Sequence, residues 1–271
     1  MLRFLALALA SFALAPAAAA QTPSPLVSWQ YSVGQVLRPL GGPLPTWDVN
    51  LGLGTSVAPE YQGGKRYEIN PGAVIDIRYK DIFFLSDGEG LGVNLLRGLN
   101  YRAGIAFSYD LGRDHHDDPR LRTLPNIDPA PEAKLFGEIF IVPVVFTFDV
   151  RQAIGGHGGL IGDLGAYVPL PLADNLYLFV GPGITAADTT YMKAYFGVSP
   201  RQTLGTQLTT FTPTGGLKNV SFGATATWLI SERWIFLVDG AYQRLIEDAA
   251  RSPLTETKAQ FTVGVNLIRR F

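Results

Sequence analysis

The sequence contains no cysteine, and only 17% of its 271 residues are charged, against roughly 25% in an average soluble domain. Without cysteine the chain has no disulfide, no thiolate nucleophile and no cysteine-ligated metal site. The formal net charge of −1 excludes the basic footprint that nucleic-acid binding needs. Beyond the N-terminal segment, no run reaches the about 18 apolar residues of a transmembrane helix. What the chain does have is 30 glycines and 11 tyrosines, which suit tight turns and interfacial girdles.

Residues 1–20 have the layout of a signal peptide. Arg3 supplies the positive charge, residues 4–14 form an apolar core, and residues 18–20 offer a small-residue cleavage site. No cysteine follows that site, so a lipoprotein anchor is excluded. We therefore predict an exported protein without a helical anchor, either periplasmic or a membrane β-barrel. Residues 21–45, rich in proline and glycine, are predicted to form a periplasmic extension.

The last stretch of the chain, residues 261–271, is predicted to be an amphipathic strand. Because side chains alternate along a strand, one face carries apolar residues and the other polar or small ones: Phe261, Val263, Val265 and Leu267 against Thr262, Gly264 and Asn266. A strand of about ten residues that ends on an aromatic residue is typical of the closing strand of bacterial outer-membrane barrels. Arg269 departs from that pattern. The alternative is the edge strand of a soluble sandwich.

The same alternation recurs along the chain at the spacing of about 10 to 12 residues that is typical of barrels. It predicts strands at residues 47–57, 68–79, 101–111, 132–141, 143–153, 160–168, 176–185, 220–230, 234–245 and 261–271, and no stretch shows helical periodicity. Residues 82–96 form one strand or two short ones, because Asp87-Gly88-Glu89-Gly90 is turn chemistry in their middle.

Loop lengths favour two short strands over one. That count puts the long segments 113–131, 187–216 and 246–257 on one side and short turns on the other, as in bacterial barrels. We therefore predict an all-β fold, a transmembrane antiparallel β-barrel of about 12 strands at residues 46–271. It is closed by the C-terminal strand that ends in Phe271.

The polar faces of the predicted strands carry charge in mid-strand. These residues are Asp48, Asp76, Arg78, Arg102, Asp110, Asp149, Arg151, Asp163 and Asp239, whereas the apolar faces are nearly free of charge. Lipid does not accept charge at mid-depth but a wet lumen does. The mixture of signs favours a salt-bridged, partly filled interior over an open channel.

Four motifs go beyond alternation: FFLS at residues 83–86 with GLGVNLL at 90–96, GGHGG at 155–159, YMKAYFGV at 191–198 and GGLKNV at 215–220. Together they resemble the MltA-interacting protein/OmpV (MipA/OmpV) family of outer-membrane proteins, over residues 47–271. The resemblance implies an outer-membrane barrel. The best-known member is described as a scaffold that joins a lytic transglycosylase to a murein synthase, and other members are linked to adhesion, osmoregulation or antibiotic response. The resemblance implies no catalytic residue and no cofactor.

We predict one site, an aromatic plug at the barrel mouth. Tyr191, Tyr195 and Phe196 lie in the long segment 187–216. Three aromatics left in water would form an exposed apolar patch, so we expect them to fold back into the barrel. The alternative is a mobile surface loop with scattered aromatics.

The cluster Asp114-His115-His116-Asp117-Asp118 has the chemistry of a metal site, since imidazole and carboxylate bind divalent metals. Its residues are consecutive, in a predicted surface loop, and the sequence shows no second-shell partner. We therefore interpret it as a solvated loop and assign no metal site. His157, between two glycine pairs, is interpreted as a turn histidine.

The predicted function is that of a scaffold in the outer membrane of a Gram-negative bacterium. Its predicted partners are outer-membrane lipid, a periplasmic lytic transglycosylase and a murein synthase, with no nucleic acid. The alternatives are a narrow-pore channel or a surface adhesin. A hydrolase built from His115, His116 or His157 with Asp114 or Asp163 and Ser108 is less favoured, because no motif fixes such a geometry. We therefore predict that the protein is not an enzyme.

Overall fold

The computed structural model describes residues 45–271. In this part of the chain, twelve antiparallel strands follow one another around a closed barrel. Their bounds are β1 Trp47–Pro59, β2 Tyr67–Tyr79, β3 Phe83–Ser86, β4 Gly90–Arg97, β5 Tyr101–Asp110, β6 Ala130–Ile141, β7 Val144–Ala153, β8 Leu160–Ala173, β9 Leu176–Ala187, β10 Gly216–Leu229, β11 Trp234–Leu245 and β12 Ala259–Arg270. The predicted fold class and strand count are confirmed. The predicted signal peptide, residues 1–20, and residues 21–44 of the predicted extension lie outside the described residues.

The last strand closes the barrel against the first. β12 pairs with β1 over a continuous register from Asn50–Arg270 to Val57–Val263. The backbone N–H of Phe271 then donates to the carbonyl of Val49 at 2.9 Å. Because every edge strand of an open sheet would leave N–H and C=O groups unpaired in lipid, this seam is what allows the sheet to sit in a membrane.

The two ends of the barrel differ in the length of their connections. Long segments join the strands at one end, here called the loop end: residues 60–66, 111–129, 154–159, 188–215 and 246–258. Short connections lie at the other end, here called the turn end: residues 80–82, 98–100, 142–143, 174–175 and 230–233. Both ends of the described chain also lie at the turn end, since Trp47 pairs with Tyr79 and Arg270 with Asn50.

The outer face is apolar and the inner face is polar, as alternation requires. The outer side chains are largely exposed, among them Leu53, Ile69, Phe107, Phe146, Phe148, Phe222, Trp228 and Val263. Along the same strands the charged residues point inward and are buried, among them Asp76, Arg78, Arg102, Asp110, Arg151 and Asp163. A soluble sandwich would place the apolar side inside, so the observed arrangement is that of a membrane barrel.

The hairpin of β3 and β4 is shorter than the neighbouring strands and does not extend as far toward the loop end. β3 pairs with β2 over only four positions, Asp76 to Tyr79, although β2 begins at Tyr67. Among the described strands, none therefore lies beside residues 67–74 of β2 on that side. Pro71 sits within this stretch, where its missing N–H costs no ladder hydrogen bond.

Two short helices lie in the loop-end segments, in contrast to the prediction that no stretch is helical. Helix α1 is Thr189–Phe196, and helix α2 is Glu247–Arg251. Two 3-10 helices, Pro119–Leu121 and Pro200–Thr203, accompany them. Periodicity missed all four because each is eight residues or shorter, which is too short for a 3.6-residue pattern to repeat. Among the described residues, no helix is long and apolar enough to cross a membrane.

The loop-end segments also share an apolar core of their own. It joins residues from four different connections: Tyr61, Leu121, Leu124, Val198, Leu208 and Leu254. Ion pairs surround it, with Arg66 2.9 Å from Asp118 and Lys65 3.0 Å from Glu256. The long loops therefore pack together as a cap above the barrel mouth.

Candidate functional site at the loop end of the barrel

Helix α1 packs against strands and loops at the loop end of the barrel. Tyr191, Tyr195 and Phe196 are all buried, and they pack in one cluster with Met192 of the same helix and with side chains from strands, from the segment 111–129 and from helix α2: Ile161, Ala187, Leu245, Ile127 and Ala249. The rings of Tyr191 and Tyr195 are 4.6 Å apart between centroids. The three aromatics are thus buried among loop and strand residues at the loop end of the barrel.

The sequence around helix α1 explains why it forms. Asp188 has extended backbone angles, and its carboxylate accepts from the N–H of Tyr191 at 2.8 Å, which caps the first turn. At the other end, the N–H of Gly197 donates to the carbonyl of Lys193 at 3.1 Å. The aromatics at positions 191, 195 and 196 then share the face that meets the barrel interior. In the sequence, the aspartate directly before these residues is the feature that indicates the start of a helix.

Hydrogen bonds tie this helix to the barrel wall and to two neighbouring loop-end segments. The hydroxyl of Tyr195 donates to Oδ1 of Asp110 at 2.6 Å, and the amide of Gln62 donates to the hydroxyl of Tyr191 at 2.9 Å. Burial raises the pKa of the Tyr195 phenol, so the hydroxyl stays a donor. The guanidinium of Arg113 donates to the carbonyl of Tyr195 at 2.8 Å. These bonds fix both the position and the rotation of α1.

The glycine-rich turn at residues 155–159 delivers His157 to the same place. Gly155, Gly156 and Gly158 have φ values of 97°, 52° and 62°, a region that disfavours residues with a Cβ. A Cβ on Gly159 would lie 2.3 Å from the backbone nitrogen of Tyr191, so helix and turn are in direct contact. The histidine lies in a turn, as predicted, but its side chain is buried inside the barrel.

The protonation of His157 follows from its hydrogen bond. Its Nδ1 accepts from the N–H of Gly159 at 3.0 Å and therefore carries a lone pair, which places the ring proton on Nε2. Nε2 lies 3.6 Å from Oε1 of Glu132 and 3.7 Å from Oδ2 of Asp110. A metal ligand needs the lone pair, not the proton, at this nitrogen. The three side chains are close enough to surround an ion, but this tautomer does not bind one.

The lumen beside this site is filled by paired charges. Arg151 contacts Asp149 at 2.8 Å and also pairs with Asp163, whereas the ammonium of Lys218 donates to the neutral amide of Gln62 at 3.1 Å. A second group lies closer to the turn end, where Glu89 bridges Arg78 and Arg102. All of these cations are buried. The buried arginines of the inner face are thus salt-bridged, because an opposite charge offsets the cost of burying a guanidinium in low dielectric.

The structure separates the residues from which the sequence could draw a hydrolase. The hydroxyl of Ser108 donates to Oε2 of Glu132 at 3.0 Å and not to a histidine. His115 and His116 lie in the surface loop of residues 111–129, far along the chain from the buried His157. Among the described residues, no nucleophile–histidine pair is assembled from this set.

The surface histidines have their own hydrogen-bond partners. Nδ1 of His115 lies 2.6 Å from Oδ1 of Asn126, and Nδ1 of His116 lies 2.8 Å from Oδ1 of Asp114. The two rings are 3.8 Å apart between centroids. The hydrogen bond from the backbone N–H of His116 lowers the pKa of the Asp114 carboxyl, so that group is ionised. Asn126 is a partner that the sequence did not reveal.

Comparison with known proteins gives one family and several barrels. The family model described as MltA-interacting protein MipA matches residues 51–271. No curated protein matches the chain. Among solved structures, the translocator domain of the autotransporter NalP from Neisseria meningitidis is similar over 90% of this chain and 95% of its own, with 11% identity and a TM-score of 0.41. The NanC porin is similar over 83% of this chain and 100% of its own, with 5% identity and a TM-score of 0.39. At these identities and scores, the similarities carry no argument about function.

Proposed function

The chain belongs to the MltA-interacting protein MipA family, and from this premise we propose that it is a non-enzymatic outer-membrane barrel that acts as a scaffold for murein-processing enzymes. The family name supports a lytic transglycosylase as one partner. A murein synthase is the second partner that we propose. The observation that carries the proposal is the filled lumen, because it leaves the two ends of the barrel as the surfaces on which a partner can act.

The outer face supports placement in a bilayer. On β2, Tyr67 and Tyr79 are twelve residues apart, which is about 40 Å along a strand and about 30 Å at a tilt of about 40°. Aromatic pairs lie at the same two levels of the outer face. Trp47 is 4.8 Å from Tyr79 at the turn end, and Tyr242 is 5.1 Å from Phe261 at the loop end. Such girdles flank the apolar band of outer-membrane barrels.

The turn end is the surface that we propose for the murein enzymes. Bacterial barrels keep their short turns in the periplasm, where murein lies. Two adjacent turns there each expose one apolar side chain, Leu99 at 86% and Val142 at 78%. Asn100 in the first of these turns is hydrogen-bonded at 2.7 and 3.2 Å to Phe140 on β6, two residues before Val142. Two neighbouring apolar side chains on a rigid edge fit a protein contact.

The test is capture of a purified lytic transglycosylase by the full chain in detergent. We expect the double variant Leu99→Asp, Val142→Asp to weaken capture at least tenfold. The matched control is Leu204→Asp at the loop end, because Leu204 is exposed to a similar degree, 75%. Unchanged capture by the double variant would refute the proposed surface. Loss of capture on deleting residues 191–216 would refute the orientation of the barrel.

A second candidate function is a narrow pore. Gly72 favours it, since this residue lies on the inner face of β2 and no atom lies within 4 Å of the position that a Cβ would take. The side of the lumen near Gly72 is therefore more open than the side filled by Arg151. Conductance in planar bilayers separates the two functions, since a scaffold with a filled lumen should show no stable single-channel steps.

We further propose that helix α1 is a plug, so that Tyr191, Tyr195 and Phe196 close the mouth. The support is their burial and the polar bonds that hold the helix. Two measurements test this proposal. Deleting residues 191–216 should raise conductance, and proteases added to intact cells should cut the wild-type segment slowly. Rapid cleavage with unchanged conductance would defeat it.

A further inference from the structure

We propose that His115 and His116, oriented by Asn126 and Asp114, form a surface site for a borderline divalent metal ion such as Zn²⁺, Cu²⁺ or Ni²⁺. Hydrogen bonds fix the orientation of both imidazole rings. Consecutive histidines in a flexible loop would have no defined tautomer. Here each ring is held by a partner that decides which nitrogen carries the proton.

The side chain of Asn126 fixes the tautomer of His115. Oδ1 of Asn126 accepts from the backbone N–H of His115 at 2.8 Å, so this amide atom is the oxygen and not the nitrogen. The same oxygen lies 2.6 Å from Nδ1 of His115. Two acceptors cannot face each other at that distance, so Nδ1 carries the proton. The lone pair of His115 is therefore on Nε2.

Asp114 fixes His116 in the same way. Oδ1 of Asp114 accepts from the backbone N–H of His116 at 2.8 Å and lies 2.8 Å from Nδ1 of the same residue. A carboxylate oxygen is an acceptor, so Nδ1 of His116 is the donor and Nε2 again holds the lone pair. Metal-binding histidines show this arrangement, in which the second ring nitrogen donates to a carboxylate or carbonyl oxygen.

The two imidazole rings lie close enough together to bind one metal ion. Their centroids are 3.8 Å apart at an interplanar angle of 38°, so the two imidazole rings lie against each other. Nitrogen atoms bound at about 2.1 Å from one metal stand about 3 Å apart. Imidazole ligands favour zinc, copper and nickel, whereas magnesium and calcium favour oxygen. His116 is exposed and His115 half-buried, so an ion can enter from solvent.

The loop around the site is anchored. Asp118 caps the 3-10 helix Pro119–Leu121 and pairs with Arg66 at 2.9 Å, and Leu121 is buried in the cap. The backbone of Arg113 pairs with that of Ile127, which holds the two ends of the segment together. The orienting residue Asn126 is therefore kept opposite His115. Pre-ordered ligands lose less entropy on binding, so a site made of two histidines can bind measurably.

The remaining histidine gives an internal contrast. Nδ1 of His157 accepts from Gly159, so its proton is on Nε2 and the tautomer is the opposite one. The chain has three histidines, and only the pair at 115 and 116 presents Nε2 lone pairs in this structure. Metal binding should therefore depend on His115 and His116 and not on His157.

The experiment is calorimetric titration of the full folded chain in detergent with ZnCl₂ or CuCl₂, in a buffer that does not chelate. We expect one equivalent of metal, and a loss of at least tenfold in affinity for His115→Ala and for His116→Ala. Asn126→Ala should lose about 10- to 100-fold, because it removes only the orienting oxygen. Heat-modifiable migration on gels confirms that each variant is folded.

A second readout does not depend on metal. Side-chain nitrogen NMR of the apo protein should show both His115 and His116 protonated at Nδ1, and His157 at Nε2. The proposal is overturned if the double variant His115→Ala, His116→Ala binds as tightly as the wild type, or if Asn126→Ala leaves the affinity unchanged. It is also overturned if both surface rings carry the proton on Nε2.

Discussion

Removing the hydroxyl of Tyr195 tests whether its hydrogen bond holds helix α1 in the barrel mouth. It donates to Oδ1 of Asp110 at 2.6 Å, and the carboxylate also accepts from the N–H of Gly112 at 2.7 Å. Tyr195→Phe removes one oxygen and leaves the ring packing intact. The change therefore isolates the hydrogen bond and creates almost no cavity.

The magnitude follows from the charge on the acceptor. A hydrogen bond to a charged group contributes about 1.5–3 kcal/mol. Asp110 keeps the bond from Gly112, so the variant does not leave this oxygen without a donor. Since each 1.36 kcal/mol is a tenfold change, we expect local opening of helix α1 to become about 10- to 150-fold more frequent.

Hydrogen exchange followed by mass spectrometry measures this opening directly. Peptides from Thr189–Phe196 should exchange faster in Tyr195→Phe by the factor above, while peptides from β12 should not change. Tyr109→Phe is the matched control, because Tyr109 is exposed on the outer face. If α1 exchanges equally in the wild type and in Tyr195→Phe, the bond to Asp110 does not hold the helix and the reasoning is wrong.

Three further predictions concern the barrel wall and the turn below α1. Ala226 faces outward, and Ala226→Arg should lower the free energy of unfolding by about 2–4 kcal/mol in a folding titration if this residue lies near the midplane. Ser56 faces inward, and Ser56→Arg should lower it much less. Equal losses for the two variants would contradict the assignment of faces. Deleting Phe271 should block assembly, because it weakens the seam that removes the open edge; unaltered heat-modifiable migration would count against this role. Gly159→Ala should destabilise the fold by about 1–3 kcal/mol through overpacking against α1, whereas Gly216→Ala, which has open space, should be neutral in the same titration.

The strands and their order could be predicted from the sequence because their signal is local. Alternation with period two needs only neighbouring residues, and the closing strand at residues 259–270 showed it as clearly as β1. The split of residues 82–96 into β3 and β4 followed from turn chemistry together with the parity of a closed barrel. The regular pattern has a physical cause in the membrane, because the backbone N–H and C=O groups of each spanning segment must be hydrogen-bonded within the sheet.

The interior could not be predicted in the same way. Alternation places Thr225 on the lumen side, yet it is 0% exposed, because neighbouring side chains fill the lumen around it. Which polar groups meet inside the barrel depends on segments far apart in the chain, as for Lys218 on β10 and Gln62 in the first loop-end segment, whose side chains are hydrogen-bonded. Alternation says which way a side chain points, but not what it meets.

The candidate sites show the same division. The aspartate and aromatics of α1, the glycines around His157 and the pair His115 and His116 are all visible in the sequence. The proton positions are not, because they depend on Gly159 folding back on His157 and on Asn126 crossing eleven residues to meet His115. Residue type supplies the chemistry of these side chains by itself. Which nitrogen is free to act is decided by hydrogen bonds that exist only once the chain has folded.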